Sequence, residues 1–387
     1  QRMIPDMRAL MNADHTFEIF LIAPPGLEHI LRKEAQDLGF AAARQVPGGV
    51  SFEGNWGDVR RANLYLRGAT RVLARIGSFR AFHLAQLDKR ARKFPWGDVL
   101  RPDVPVKVEV VTNKKSKIYH AGAATQRIET AISEELGAPI SKSDDEADPV
   151  TVKVRIDDNT CIFSVDTSGE GLHKRGHKVA VGKAPMRETL ASLFLQACEF
   201  DGQEPVVDPM CGSGTFVIEA AEIARGLAAG RSRSFAFERL SNFDEAGWRK
   251  LRSEIAEPRD VDLTFHGSDR NAGAVEMGTQ NAERAGVADL CRFSHAAVSD
   301  LQRPDGPPGL VMVNPPYGAR IGNKKQLFAV YGSLGEVLKS RFSGWRVGII
   351  TSDTQLARAT GLPFLPLGAP IAHGGLKVRL FRTDALK

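Results

Sequence analysis

Short apolar runs alternate with longer amphipathic stretches along most of the chain, which predicts a mixed α/β protein. From Met186 onward the alternation is regular, as in PVVDPM followed by FVIEAAEIA. Such a repeat predicts a doubly wound, mostly parallel sheet over residues 186–387. Sheets of this kind bind ligands where their strands end, so we expect functional side chains at the ends of the apolar runs.

Smaller α/β elements are predicted in the first part of the chain. Residues 16–23 form a short apolar strand, followed by a helix that stops at Gly39. Residues 104–112 alternate like a strand, and a helix is predicted around residues 126–136. Residues 150–166 predict a hairpin that turns through the sequence Asp-Asp-Asn.

A further helix is predicted to begin at Asp58, which would be its N-cap. Three arginines recur every four residues in this stretch, so they would share one outer face of the helix. These are Arg67, Arg71 and Arg75. The later stretch GEGLHKRGHKVAVGKAP, rich in Gly and basic residues, lacks periodicity and predicts a linker over residues 169–185.

Length and composition limit the protein classes. A chain of 387 residues favours two or three domains. No run approaches the roughly eighteen apolar residues of a membrane span, and no signal-peptide core precedes residue 16, so we expect a cytoplasmic protein. The four cysteines are far apart and form no C-x-x-C pair, which argues against a metal site or disulfides. They are Cys161, Cys198, Cys211 and Cys291.

Positive charge is concentrated in one part of the chain. The net charge is +6, yet residues 60–128 contain sixteen Lys or Arg and four Asp or Glu, an excess of twelve positive charges. A solvated basic surface would account for a single charge run. Because this excess extends over several predicted elements, it favours a surface that binds a polyanion such as nucleic acid.

The sharpest motif is DPMCGSGT, which begins at Asp208. An acidic residue ends a strand, and Gly212 and Gly214 then let the backbone turn tightly against a ligand before a helix begins. A dinucleotide fingerprint would need a third small residue at Val217, and the chain has no G-K-[ST] phosphate loop. Both alternatives are therefore disfavoured.

A second motif, NPPY, ends the apolar strand GLVMV. Its two prolines lack N–H donors and fix the backbone, which leaves carbonyl oxygens for the amino group of a substrate. The amide of Asn314 offers another acceptor, and Tyr317 offers an aromatic face for a planar base. An ordinary strand-ending turn is the alternative, but this motif and the glycine-rich turn are expected at the same edge of one sheet.

DPMCGSGT resembles motif I, and NPPY resembles motif IV, of the class I amino-methyltransferases, which modify adenine N6, guanine N2 or protein glutamine N5. GLHKRGHKVAVGKAPMRETLA and GSLGEVLKSRFSGW resemble more narrowly the bacterial THUMP-domain methyltransferases that modify guanine N2 in large-subunit ribosomal RNA. VVTNKKSKIYHAGAATQRIETAI is similar to the RNA-binding THUMP module. The resemblance covers nearly the whole chain.

The resemblance implies a Rossmann-like class I methyltransferase domain over residues 186–387, preceded by an α+β region. Within that region it implies a ferredoxin-like part over residues 15–62 and a THUMP RNA-binding domain over residues 63–168, followed by the linker at residues 169–185. The implied cofactor is S-adenosyl-L-methionine, and the implied partner is RNA, ribosomal RNA above all. A monomer that binds neither metal nor membrane is assumed.

Site residues are carried over by position. The implied cofactor-binding residues are Asp208, Met210, Gly212, Gly214, Asp269, Arg187, Glu188, Thr189 and Asn314. The implied catalytic residues are Asn314, Pro315, Pro316 and Tyr317. The residues expected to bind RNA are Lys114, Lys115, Lys117, Tyr119, Arg67, Arg71, Arg75, Lys174 and Arg175. Asp269 would accept hydrogen bonds from the ribose hydroxyls, and a helix N-cap is its alternative role.

One position departs from the family pattern. Relatives carry an acidic residue after the third strand that contacts the adenine amino group, whereas RFSHAAVSDL places Ala297 there. The next carboxylate, Asp300, comes three residues later. The departure leaves adenine recognition to backbone groups, and it leaves a weaker or inactive enzyme open.

An exocyclic base amine is a poor nucleophile because its lone pair is delocalised into the ring. Acceptors at Asn314 and Pro315 would hold the amino hydrogens and direct the lone pair toward the methyl group. Methylation at a pyrimidine C5 would need a cysteine nucleophile instead. Cys211 lies within the predicted cofactor turn, where a small buried residue is the better interpretation.

The leading hypothesis is an RNA guanine-N2 methyltransferase, with 23S ribosomal RNA favoured over tRNA through the resemblance. Adenine-N6 methylation of DNA or RNA stays open, since those enzymes share NPPY. Glutamine methylation is disfavoured because it does not explain the basic region. In a different class, the protein would be an RNA-binding ribosome-assembly factor with a degenerate methyltransferase domain. The intact glycines, Asn314 and Tyr317 argue against that hypothesis, and Ala297 argues for it.

Overall fold

The computed structural model describes residues 15–142, 148–178, 186–318 and 323–387, which fold into two compact units. The first unit contains the chain up to Ala23, Ala35–Leu172 and Arg233–Ile255, and the second contains Pro24–Glu34, His173–Ser232 and Ala256–Lys387. The predicted linker is thus divided between the units after Leu172. Its residues 179–185 lie outside the described part of the chain.

A seven-stranded sheet forms the first unit, with strand order β2-β3-β1-β4-β7-β6-β5. Its strands are β1 (Phe17–Ile22), β2 (Arg44–Val46), β3 (Gly49–Gly54), β4 (Val72–Arg80), β5 (Val106–Thr112), β6 (Val150–Asp157) and β7 (Thr160–Asp166). The helices of this unit are α2 (Trp56–Tyr65), α3 (Leu84–Arg92), α4 (Ala121–Leu136) and α7 (Glu245–Ser253), while α1 (Glu28–Asp37) is divided between the two units after Glu34. The predicted parts at residues 15–62 and 63–168 therefore share one sheet.

The hairpin predicted at residues 150–166 is confirmed. Strands β6 and β7 pair antiparallel, with Asp157 opposite Thr160. Asp158 and Asn159 make the turn with φ of 45° and 61°, a left-handed conformation that Asp and Asn tolerate better than most residues. β5, at the edge of the sheet, pairs parallel with β6.

The long helix predicted from Asp58 is wrong beyond Tyr65. Asn55, and not Asp58, is the N-cap of α2. The Asp58 carboxylate accepts a hydrogen bond from the backbone N–H of Asn55, and the Asn55 side chain accepts one from the Asp58 N–H, which forms a capping box. After a connection at residues 66–71 the chain forms β4, in which side chains such as Ala74 and Ile76 are buried on one face of the sheet. Only Arg75 lies in β4, whereas Arg67 and Arg71 lie in the connection before it, so the four-residue spacing of the arginines does not mark one face of a helix.

The second unit has the doubly wound sheet that the regular alternation predicts, in the order β10-β9-β8-β11-β12-β14-β13. Its strands are β8 (Val206–Asp208), β9 (Phe265–Asp269), β10 (Cys291–His295), β11 (Leu310–Val313), β12 (Arg346–Thr351), β13 (Ile371–His373) and β14 (Leu376–Arg382). Its helices are α5 (Glu188–Ala197), α6 (Thr215–Arg225), α8 (Ala272–Ala285), α9 (Lys324–Arg341) and α10 (Thr354–Ala359). The strands are parallel except at β13 and β14, and the chain order reverses at β8. The predicted Rossmann-like fold class is confirmed.

The core of the second unit lies where α9 packs on β11 and β12. Val311, Val313, Tyr331, Leu334 and Trp345 are fully buried there. This close packing holds β11, the strand that precedes NPPY, in a fixed position. No helix among the described residues is long and apolar enough to span a membrane.

Arg233–Ile255 belongs to the first unit although its flanking residues belong to the second. The guanidinium of Arg233 donates to the carbonyls of Ser168 and Gly171. The aromatic rings of this segment pack on one another, with 5.3 Å between the centroids of Phe235 and Phe237 and 4.9 Å between Phe237 and Trp248. The segment therefore forms part of the first unit's own packing.

Candidate active site

Three strand ends meet at the point where the chain order of the second sheet reverses. Asp208 ends β8 opposite Gly267 of β9, and Asp269 ends β9. On the other side, Val311 of β11 pairs with Val207. Asn314 follows β11 directly, so it lies at the same edge as the two carboxylates, as the sequence predicts.

The glycine-rich turn is held by the two aspartates. Asp208 Oδ1 accepts a hydrogen bond from the Met210 N–H at 3.0 Å. Asp269 Oδ2 accepts from the Gly212 N–H at 3.0 Å, and its Oδ1 accepts from the Asn271 N–H at 2.9 Å. The turn and the end of β9 are thus fastened directly to one another.

The two glycines of the turn serve different purposes. Gly214 has φ of 87°, and a Cβ there would lie 2.9 Å from the ring of Phe293 and 3.3 Å from Gly278 Cα. Gly212 has φ of 51°, but nothing would lie within 4 Å of its Cβ. Gly214 thus permits close packing, whereas Gly212 faces open space in which a ligand could approach the backbone.

NPPY places an unpartnered acceptor at the sheet edge. Asn314 Oδ1 is buried, and in the part of the chain that the structure describes it has no hydrogen-bond donor. The Pro316 carbonyl accepts from the Tyr331 hydroxyl at 3.1 Å, and that hydroxyl also lies 3.0 Å from Thr351 Oγ1. Tyr331 and Thr351 therefore hold the motif in place. Sequence reasoning missed both residues, because neither belongs to a motif.

Tyr317 lies half-buried after the two prolines. Burial raises the pKa of its phenol to about 12, so the ring is neutral at physiological pH. The next residue, Gly318, lies against the hairpin of β13 and β14, where a Cβ would be 3.4 Å from Leu376 Cδ1. Leu376 is 45% exposed. Leu376 is therefore an apolar neighbour of Gly318, and no sequence motif indicated this contact.

The three residues predicted to bind the cofactor at the start of α5, Arg187 to Thr189, differ in how accessible they are to a ligand. Arg187 is exposed and is the N-cap residue of α5. Thr189 is buried. The Glu188 carboxylate is also buried, and its Oε1 lies 2.8 Å from the ammonium of Lys178. Glu188 therefore already has a cationic partner within the protein.

The residue that departs from the family pattern, Ala297, is exposed after β10. Its carbonyl accepts a hydrogen bond from the Asp300 N–H, within a short 3₁₀ turn. Asp300 lines a polar cleft of about 330 Å³ together with His266, Ser268 and Ala296. A carboxylate is therefore present near this edge, displaced from the usual position.

Cys211 fits the structural role that the sequence favours. It is buried, and burial together with the charges of Asp208 and Asp269 raises the pKa of its thiol. A thiol kept protonated is a poor nucleophile. Across the described ranges, no group of three or more His, Cys, Asp or Glu side chains could hold a metal ion.

The residues predicted to bind RNA fall into two groups. Arg71 pairs with Asp166, Arg75 pairs with Glu18 and Arg67 is buried, so the predicted outer row of three arginines is wrong. Arg175 is 1% exposed and pairs with Glu219 at 3.1 Å, so the prediction that it contacts RNA is also wrong. By contrast, the remaining predicted residues are exposed. These are Lys114, Lys115, Lys117, Tyr119 and Lys174.

The models of two protein families match the chain. The RMKL-like methyltransferase domain matches residues 175–363, and the RlmL ferredoxin-like domain matches residues 18–73. This chain is 32% identical over 351 residues to YpsC of Bacillus subtilis (strain 168), which is provisionally named an RNA methyltransferase. The match covers 89% of this chain and 90% of YpsC. The chain belongs to the RMKL-like methyltransferase family.

Two solved structures also match nearly the whole chain. A methylase from Listeria monocytogenes, whose specificity for adenine N6 in DNA is a prediction, has a TM-score of 0.84 and 30% identity, covering 96% of this chain and 97% of that chain. SMU.472, solved as a complex with SAH, has a TM-score of 0.84 and 28% identity, covering 96% and 99%.

Longer relatives match as well. The ribosomal RNA large subunit methyltransferase K/L of Allochromatium vinosum is 34% identical over 365 residues, which is 90% of this chain and 49% of that protein. The methyltransferase therefore spans about half the length of the K/L proteins that it matches.

The residues of this methyltransferase fit the implied cofactor, S-adenosyl-L-methionine. Asp269 retains lone pairs for ribose hydroxyls beyond its two backbone contacts. The open space at Gly212 admits a ligand against the backbone. Together these features supply recognition groups without any rearrangement of the turn.

Asp208 makes the stability of the methyltransferase depend on pH. Burial, with a contribution from Asp269, raises the pKa of its carboxyl group to about 8. The unfolded chain loses this proton near pH 4, so between about pH 4 and pH 8 rising pH favours unfolding. Without cofactor, we expect the Tm of the wild type to fall more steeply from about pH 5 to pH 8 than that of Asp208→Asn.

Melting curves of both proteins over this range measure the difference in slope. Asp260→Asn, at an exposed aspartate of the same unit, is the control and should follow the wild type. Parallel slopes for the wild type and Asp208→Asn would show that Asp208 is ionised in the folded protein.

Proposed function

We propose that this methyltransferase transfers a methyl group from S-adenosyl-L-methionine to the exocyclic amino group of an RNA base, namely guanine N2 of large-subunit ribosomal RNA. The observation that carries the proposal is the buried Asn314 Oδ1, which has no donor among the described residues. A buried acceptor without a partner costs about 1–3 kcal/mol. A substrate amino group would remove that cost.

The geometry indicates how the protein would activate this amine. Asn314 Oδ1 and the Pro315 carbonyl would accept its two hydrogens, which favours a pyramidal nitrogen with an exposed lone pair. The cofactor supplies a methyl group on a sulfonium centre. Tyr317, neutral and half-buried, would stack on the base and set its plane. Asn314 acts only as a hydrogen-bond acceptor, because an amide does not take up a proton at neutral pH.

An exposed surface of the first unit supports RNA as the substrate. The loop after β5 is held by side-chain bonds, since Asn159 Oδ1 accepts from the Lys117 N–H and Asn113 Nδ2 donates to Asp157. Its lysine side chains are exposed, as is Tyr119 at 64%. Phe82, 38% exposed, lies near two cations, with Lys117 Nζ at 5.6 Å and Arg80 Cζ at 5.3 Å from its ring centroid.

We define the basic–aromatic surface as Arg80, Phe82, Lys114, Lys115, Lys117 and Tyr119. Exposed cations beside aromatic rings suit a phosphate backbone with unpaired bases. The first unit contributes this surface without the internally paired arginines at positions 71 and 75. Phe82 and Arg80 were not among the residues that the sequence singled out.

Neutralising Lys114, Lys115 and Lys117 together should weaken RNA binding and flatten its dependence on salt. Each lost phosphate contact is expected to reduce the slope of log K against log salt by about 0.7 to 0.9. Titration of a labelled ribosomal RNA fragment at several salt concentrations measures both quantities. Lys324, Lys325 and Lys339 of α9, changed in the same way, are the control for total charge. Equal slopes for the two triple variants would remove the surface from the proposal.

Nucleoside analysis tests the reaction itself. The full chain is incubated with fractionated cellular RNA and cofactor labelled in its methyl group, and the RNA is then digested to nucleosides. The proposal expects label in N2-methylguanosine from large-subunit ribosomal RNA. Label in N6-methyladenosine would assign the NPPY chemistry to adenine, label in tRNA would change the substrate, and RNA binding without any transfer would support an assembly factor.

A further inference from the structure

Residues 173–178, predicted as part of a linker, pack along α6 instead. Arg175 and His177 are buried, while their neighbours Lys174 and Gly176 are exposed. The guanidinium of Arg175 lies 3.1 Å from Glu219, and both side chains are 1% exposed. This segment is therefore a built part of the second unit, lying on the helix that begins at the glycine-rich turn.

One connection runs from this segment to the residue after Gly214. The ammonium of Lys178 lies 2.9 Å from the hydroxyl of Thr215, the first residue of α6. The same ammonium lies 2.8 Å from the carboxylate of Glu188, at the start of α5. Lys178 thus makes a hydrogen bond to Thr215 and an ion pair with Glu188, and because both of these side chains are largely buried, the two contacts hold the ammonium between the two helix starts.

A second connection runs to the residue before Gly214. The His177 carbonyl accepts from Arg284 Nε at 3.1 Å. Arg284 Nη2 donates to Asn281 Oδ1 at 3.0 Å, and Asn281 Nδ2 donates to the Ser213 carbonyl at 3.1 Å. Asn281 is 1% exposed, so this chain of bonds is protected from competing water over its inner part.

The two connections reach the residues on either side of Gly214, which has φ of 87° and which, as a glycine, loses more backbone freedom on being fixed than other residues do. The groups close around a cavity of only about 10 Å³, the lower limit for one water molecule. At the turn itself, a Cβ on Gly214 would lie 2.9 Å from the Phe293 ring and 3.3 Å from Gly278 Cα, so the backbone there has little room to shift. A turn preorganised in this way loses less conformational entropy when a ligand binds its backbone.

We infer that Lys178 and Arg284 are positioning residues that set the affinity of the glycine-rich turn for the adenosyl cofactor, from outside the turn. This inference rests on the proposed function, because it presupposes that the turn binds that cofactor. The contacts of these two residues are with groups next to the turn and with the segment at residues 173–178. Their effect is exerted through Thr215 on one side and Asn281 on the other.

The test is calorimetry of the full chain with S-adenosylhomocysteine. Lys178→Met and Arg284→Met are each expected to raise its Kd about tenfold, since each removes a charge-assisted hydrogen bond. Lys178→Arg should recover most of the affinity, because a cation can still reach both acceptors. Lys339→Met, which removes a surface ion pair with Glu336 from the same unit, is the control and should bind like the wild type.

Thr215→Val guards against a Lys178→Met variant that fails to fold, because it removes only the hydroxyl and keeps the ion pair with Glu188. It should raise Kd in the same direction. At saturating cofactor, kcat should stay within about twofold of the wild type while KM for the cofactor rises. A purely structural role would lower Tm and leave the Kd of the folded fraction unchanged, which would overturn the inference. A wild type that binds no S-adenosylhomocysteine would instead refute the proposed function.

Discussion

Asn314→Ala is expected to abolish most methyl transfer while leaving cofactor affinity and folding nearly intact. Asn314 Oδ1 has no donor among the described residues, so the substitution removes no internal hydrogen bond from that atom. Loss of a well-placed polar group at a reacting centre typically lowers the rate about 10²- to 10³-fold, or roughly 3 to 4 kcal/mol. Single-turnover methylation and melting curves on the same preparation measure both effects.

Tyr317 provides the comparison for that experiment. Tyr317→Phe should be milder than Tyr317→Ala, because stacking needs the ring and not the hydroxyl. If NPPY were only a structural turn, both alanine variants would lower Tm, and residual activity would follow the folded fraction. Full activity in a well-folded Asn314→Ala variant would refute the proposed mechanism.

Asp269→Ala is expected to weaken the binding of S-adenosylhomocysteine about 10²-fold, or roughly 2.7 kcal/mol. The carboxylate supports the turn through the Gly212 N–H, and in the proposed function it also accepts from the ribose hydroxyls. One substitution therefore removes both turn support and ligand contacts. Calorimetry on the folded variant gives the change in Kd directly.

Asp300→Ala distinguishes this role from a general loss of negative charge near the sheet edge. Asp300 is exposed and lies three residues after Ala297. If backbone groups recognise the adenine, this variant should bind S-adenosylhomocysteine as the wild type does. A loss comparable to that of Asp269→Ala would instead mean that Asp300 has taken over the acidic position missing at Ala297.

The fold of the second unit could be predicted because its signals are local and repeated. Strands β8, β11 and β12 are short apolar runs, and each is followed by a helix, so the order of elements determines the sheet. The same reasoning failed at residues 66–80. There the periodic arginines suggested a helix, whereas alternate burial of Val72, Ala74 and Ile76 in the sheet decided the conformation. Long-range strand pairing overrides a local pattern of this kind.

The site was predictable only as far as its motifs extend. Asp208, Gly212, Asp269 and Asn314 come together at one edge because parallel strands end there. The supporting groups carry no such signal. Tyr331 reaches Pro316 from the middle of α9, a contact that depends on how the helix packs and not on sequence spacing.

Arg175 shows the corresponding limit for charge. A basic stretch rich in glycine predicts exposed side chains, yet the guanidinium of Arg175 is buried and paired with Glu219. Helix α6 presents two buried glutamates, Glu219 and Glu222, on one face, and these draw the basic segment inward. The position of Glu219 relative to Arg175 depends on the tertiary fold, so the sequence alone could not show whether this arginine is exposed or paired inside the protein.

The first unit is assembled from separate stretches of the chain, which limits how such a protein can change by recombination. Within the described residues the chain passes between the units five times, at the junctions after Ala23, Glu34, Leu172, Ser232 and Ile255. No single exchange of gene segments can therefore transplant the first unit intact, because its aromatic cluster around Trp248 is encoded inside the methyltransferase half. In the proposed function, a change in RNA preference is therefore expected to arise by substitution within the basic–aromatic surface and not by exchange of a contiguous module.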